Sequence, residues 1–68
     1  MSRIVAEILR KGVWVEKVEA TRESDGWVVR EKDRGGLLGV KFKKSEAVEV
    51  LRGSIPNNVV KWRVVGKN

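Results

Sequence analysis

Cysteine, histidine, tyrosine and glutamine are all missing from this chain, and proline occurs once in 68 residues. Without cysteine no disulfide can form, and without cysteine or histidine the usual zinc ligand sets cannot be assembled. Nucleophilic and acid–base catalysis lose their commonest participants for the same reason. No stretch approaches the roughly 18 apolar residues that a membrane span requires, and the first residues lack the apolar core of a signal peptide. A soluble, intracellular protein without a membrane partner is expected.

What is present is valine and charge. Thirteen residues are valine, fifteen are lysine or arginine and nine are aspartate or glutamate, for a net charge of +6. Many charges with few thermolabile side chains is a trend of heat-adapted proteins, so a hot archaeal or bacterial origin is expected. A chain this short buries only about 60% of its unfolded surface. With disulfides and metal excluded, self-association is the remaining source of stability, and a homodimer or larger homo-oligomer is expected.

The positive surplus is unevenly placed. Residues 1–25 hold five cations and five acids, whereas residues 26–68 hold ten cations against Glu31, Asp33, Glu46 and Glu49. Basic surfaces attract polyanions, and small basic domains commonly bind nucleic acid.

Alternation and turn chemistry give the organisation. Ile4 to Leu9 is an apolar-rich run closed by Arg10-Lys11-Gly12. Val13 to Thr21 alternates β-branched or aromatic residues with charges, the pattern of a half-buried strand. Asp25-Gly26 marks a hairpin turn, Trp27 to Lys32 the next strand, and Asp33-Arg34-Gly35-Gly36 a loose tip. In Leu37 to Lys43, alternation assigns Leu38, Val40 and Phe42 to the core and Gly39, Lys41 and Lys43 to solvent. Ser45 then reads as the N-cap of a helix over 45–52, with Glu46 in its first turn and Gly53 just past its end. Val59 to Val65 is a last strand, with Val60, Trp62 and Val64 on one face, and Gly66-Lys67-Asn68 should fray. The expected fold is α+β in one domain spanning 1–68: a four-stranded antiparallel meander, one short helix, then a C-terminal strand.

Chemistry is scarce. Ser45 and Ser24 read as cap and turn residues, and Glu16 and Glu19 point to opposite faces of a regular strand. Gly35-Gly36-x-x-Gly39 lacks the Lys-Ser/Thr of a phosphate-binding loop and runs into a strand rather than a helix. No enzyme and no cofactor is expected. Binding is better supplied, because residues 34–45 contain Arg34, Lys41, Lys43 and Lys44 and no acid. If Arg30 and Lys32 lie alongside Lys41 and Lys43 on adjacent strands, about 5–7 Å apart, the four cations can track a phosphate backbone. Neutralising about four phosphates gives log affinity a slope of about −3 to −4 against log salt. Lys61 and Arg63 extend this surface. Trp14, sharing its face with Glu16 and Val18, is the best exposed ring for base stacking. Trp62 is expected to be buried or at a subunit interface, and Trp27 is undecided.

Two resemblances follow from these residues. Gly39-Val40-Lys41-Phe42-Lys43-Lys44-Ser45-Glu46-Ala47-Val48-Glu49-Val50-Leu51, preceded by Trp27-Val28-Val29-Arg30-Glu31-Lys32, resembles the positive-cofactor-four domain of transcriptional coactivators over about residues 10–55. That resemblance implies a dimer binding single-stranded DNA across curved sheets, with Arg30, Lys32, Lys41 and Lys43 as backbone contacts. The strand at Val59 to Val65 and the placing of the aromatics depart from the family pattern. Lys61-Trp62-Arg63-Val64-Val65-Gly66-Lys67 resembles a stretch of the seven-kilodalton crenarchaeal chromatin proteins, which bend duplex DNA; that resemblance implies an exposed Trp62.

The leading expectation is a nucleic-acid-binding protein favouring single-stranded DNA, with RNA and duplex DNA as alternative ligands. The rival is a β-rich interaction module, structural or viral accessory, that pairs through Val59 to Val65.

Overall fold

The computed structural model describes residues 2–33, 35–41 and 43–67. Its elements follow the order β1 (Arg3–Arg10), β2 (Val13–Glu23), β3 (Gly26–Glu31), β4 (Leu37–Lys41), α1 (Lys44–Gly53) and β5 (Trp62–Lys67). They build one five-stranded antiparallel sheet with a short helix on one face, an α+β arrangement. The strand order is β4-β3-β2-β1-β5. The first four strands neighbour one another in chain order, but β5 returns to the far side of β1, so β1 lies between β2 and β5 and the edges are β4 and β5. Arg34, a proposed contact, and Phe42, a proposed core residue, lie outside the described residues.

Two hairpin turns carry the chain through β1 to β3. Lys11 and Gly12 connect β1 to β2 with φ of 51° and 78°. Positive φ at both central residues is what a tight two-residue hairpin needs to match the strand twist, and glycine supplies it without a Cβ clash. At the second turn Gly26 (φ 137°) already pairs with Glu23 as the first residue of β3.

The core lies between the sheet and α1. Ile4, Ala6 and Ile8 of β1, Val18 and Ala20 of β2, Trp27 and Val29 of β3, and Ala47, Leu51 and Ile55 form one buried cluster. Trp27, undecided from alternation, is a core residue. Ala47 and Leu51 are four apart, so they stack on the helix face turned to the sheet. The helix begins one residue earlier than expected. Lys43 is its N-cap, and the Glu46 carboxylate accepts the Lys43 backbone N–H at 3.1 Å. Ser45 therefore sits in the first turn rather than at the cap. Gly53 is the last helical residue rather than the one beyond it, and the Ser54 N–H and hydroxyl close the helix on the Val50 carbonyl at 3.1 and 2.7 Å.

Two irregularities re-aim side chains. Ala6 pairs with Val18 but Glu7 pairs with Glu16, which leaves Lys17 as an extra residue on β2. Val29 pairs with Gly39 but Arg30 with Leu37, which leaves Leu38 extra on β4. A one-residue change of register turns every later side chain to the other face.

The last strand also departs from expectation. Val59 and Val60 stand outside β5, and Val60 is 89% exposed. Gly66 and Lys67 do not fray: they pair with Ile4 and Arg3.

Candidate nucleic-acid interface

The sheet face away from the helix carries most of the ion pairs. Directly paired residues point to the same side, so the registers place Arg3, Val5, Glu7, Glu16, Glu19, Arg30, Arg63 and Lys67 together there. The bulge at Lys17 is the reason that Glu16 and Glu19 share this face, where a regular strand would oppose them. Arg3 bonds both, at 2.9 Å each, and Lys32 lies 3.5 and 3.6 Å from them. Glu7, only 3% exposed, accepts bonds from Arg63 at 2.8 Å and Lys67 at 2.9 Å, and Lys67 also reaches Glu16 at 3.0 Å. Val5 is fully buried beneath these side chains.

The hydrogen bond from Lys67, then that from Arg63, holds the Glu7 carboxyl below the ordinary carboxylate range against the opposing effect of burial. Glu16 is lowered mainly by Lys67, with Arg3 adding to it. In the unfolded chain both groups take up protons near about 4.3. Their contribution to stability is thus complete above that value and is lost as the pH falls through their lower folded values. The urea midpoint is expected to hold steady from about pH 7 to 5.5 and to drop steeply below about pH 4. A midpoint unchanged down to about pH 2 would contradict this pairing.

The expected convergence of cations is not what the fold produces. In β3–β4 the pairs Trp27↔Lys41, Val28↔Val40 and Val29↔Gly39 put Lys41 and Gly39 on the helix side, with the core residues Trp27 and Val29. Val40, 56% exposed, faces the opposite side with Val28, and Leu38 is 44% exposed. Alternation had these assignments inverted. The physical reason is that Trp27 fills the space between sheet and helix at this margin, so β4 there contributes only a glycine and a lysine, and Lys41 lines a surface hollow with Glu46, Glu49 and Val50. Arg30 thus lies on the face opposite Lys41. Lys43 and Lys44 stand at the helix start, and Lys61 stands just before β5, beside Leu9, whose N–H donates to the Lys61 carbonyl at 3.1 Å. Lys32 and Arg63 are spent on the carboxylates of the ion-paired face.

The tryptophans are also redistributed. Trp14 is half-buried, and the Arg63 guanidinium lies 4.1 Å from its ring centroid, so it does not offer a free ring. Trp62, expected to be buried or at a subunit interface, is 40% exposed in the single chain. It is the first residue of β5 and pairs with Ile8, the last buried core residue of β1.

Comparison of the chain with protein-family models, with curated proteins and with solved structures finds no match.

One cluster escaped the sequence reading. Arg10 and Lys11 at the β1–β2 turn and Lys61 before β5 meet at the same end of the sheet, all exposed. The signal was legible. Residues 8–15 and 50–68 are two runs without any acid, and pairing β5 with β1 brings them together. Among the described residues no group of three or more histidine, cysteine or acidic side chains could hold a metal, and no helix is long and apolar enough to cross a membrane.

Proposed function

We propose that this chain is a non-enzymatic nucleic-acid-binding domain that favours single-stranded DNA. The observation that carries this reading is the balance of unpaired charge. Arg3, Lys17, Lys32, Arg63 and Lys67 are held in ion pairs. Arg10, Lys11, Arg22, Arg30, Lys41, Lys43, Lys44, Arg52 and Lys61 make no ion pair with a described residue. Only Glu23, Asp25, Glu31, Glu46 and Glu49 remain on the acidic side. Although these cations are spread over both faces and the helix start, the surplus attracts a polyanion, which releases its condensed counterions on binding, with no need for a catalytic cleft.

Anisotropy of a fluorescent mixed-sequence oligonucleotide tests the reading. Binding is expected at about 50 mM salt, with log affinity falling against log salt at a slope of about −3 for four phosphates on a single strand. Lys43→Glu with Lys44→Glu should weaken binding evenly across sequences. No detectable binding at micromolar protein would end this reading.

A second reading has its own support. β4 is an edge strand, and Leu37, Leu38 and Val40 are all exposed on it. An open apolar edge invites a second chain to pair along it, which would give a homodimer with a continuous sheet. Light scattering after gel filtration is then expected to show a dimer that survives about 0.5 M salt, where exposed charges are screened, and that dissociates on Val40→Lys. A monomer at all salt concentrations would remove this reading.

A further inference from the structure

We propose that the end of the sheet at the β1–β2 turn is a base-stacking site for single-stranded nucleic acid, with Trp62 as the platform and Arg10, Lys11 and Lys61 as phosphate contacts. The inference rests on the nucleic-acid-binding reading above and adds the place and the class of ligand. Ile8 is the last buried core residue of β1. The pairs Ile8↔Val15, Ile8↔Trp62 and Arg10↔Val13 bring Val15, Trp62, Arg10 and Val13 to the core-side face at this end, and all four are exposed. Val13 is 61% exposed there, and Val15 and Trp62 stand open beside it. A groove of about 410 Å³, lined by Arg10, Asn58, Val59, Val60 and Lys61 over Ile8 and Leu9, lies at the same end, and Trp62 adjoins it without being part of its lining.

Charge decides what fits. None of Arg10, Lys11 and Lys61 has an ion-pair partner among the described residues, and no acid lines the groove. The nearest carboxylates by register, Glu7 and Glu16, face the other side of the sheet and are already bonded to Arg3, Arg63 and Lys67. An open indole with aliphatic neighbours and a rim of unpaired cations matches a ligand with a flat π face and a phosphate on either side. In a duplex the base faces are stacked on one another, so only an unstacked strand presents both features together. Trp14 is excluded as the platform because Arg63 already occupies its face.

The test compares four folded proteins, the parent and three variants, checked by circular dichroism, against fluorescein-labelled oligo(dT) and an abasic strand of equal length. Trp62→Leu keeps the site apolar and removes the stacking ring; its affinity for oligo(dT) is expected to fall at least about fivefold, with little change for the abasic strand. Arg10→Gln with Lys61→Gln should weaken both strands and flatten the salt slope by about one to two. This pair keeps the inference testable should Trp62→Leu fail to fold. If the parent protein binds oligo(dT) but neither variant loses affinity, while Lys43→Glu with Lys44→Glu does, the stacking site is wrong and the nucleic-acid reading stands. If the parent binds neither strand, the broader reading fails first. Binding of anionic phospholipid vesicles without binding of oligo(dT) overturns both.

Discussion

Leu51→Ala is expected to lower the unfolding free energy by about 2–5 kcal/mol, the range for truncating a large aliphatic side chain in a packed core. Leu51 is fully buried, and with Ala47 and Ile55 it forms the buried contribution from the C-terminal side of β4 among the described residues. The helix has little stability of its own, since Val48 and Val50 are β-branched and ten residues are too few for an isolated helix in water. Loss of Leu51 therefore removes both the cavity-lining contacts and the main reason for the helix to stay docked. A domain of this size has roughly 3–10 kcal/mol in all, so the substitution should leave a substantial unfolded population at moderate temperature. Urea denaturation followed by tryptophan fluorescence measures it directly, because the buried Trp27 reports on the same core. A loss below about 1 kcal/mol would mean that the helix contributes little to holding the sheet.

The second large effect is expected at Glu7. Arg63→Met combined with Lys67→Met leaves a carboxylate at 3% exposure with no described cation beside it. Removing the partners of a buried charge costs about 3–5 kcal/mol, because the charge remains desolvated and uncompensated. Glu7→Gln should cost much less. Arg63 and Lys67 are about half and a third exposed, and they return to water when their acceptor loses its charge. Adding Glu7→Met to the double variant should restore most of the loss, since well-packed apolar groups replace a buried ion pair at little cost. Thermal unfolding of the set forms a mutant cycle that separates the pairing from the burial. Equal destabilisation by Glu7→Gln and by the double variant would show that the carboxylate is not the buried member on which the others depend.

The succession of strands and helix was legible in the sequence, because it depends on local signals. Gly12 and Gly26 sit where chain reversal demands positive φ, and the helix stands where alternation gives way to Ala47 and Leu51 four residues apart. The assignments that failed depend on register, which no local pattern specifies. Leu38-Gly39-Val40-Lys41 alternates cleanly, yet the pairing of Trp27 with Lys41 reverses which half faces the core. Glu16 and Glu19 were separated by strand periodicity and reunited by one extra residue, Lys17. Arg30, Lys32, Lys41 and Lys43 did not converge for the same reason. Val60 and Val64 predict Trp62 at a buried or subunit-interface position, whereas it is the first residue of β5 and 40% exposed in the single chain. The acid-free runs around Arg10 and Lys61 were visible, but their meeting required knowing that β5 lies against β1 and not against β4.

The position of β5 also bears on how the molecule comes to be. Glu7 receives its cations from partners 56 and 60 residues further along the chain. A polypeptide emerging from the ribosome must carry the Glu7 carboxylate in β1 without its native cations until almost all of the sequence described here has been synthesised. Native pairing of Glu7 therefore requires contacts across separations of 56 and 60 residues, a closure whose entropy cost rises only slowly with length but whose rate suffers from the separation.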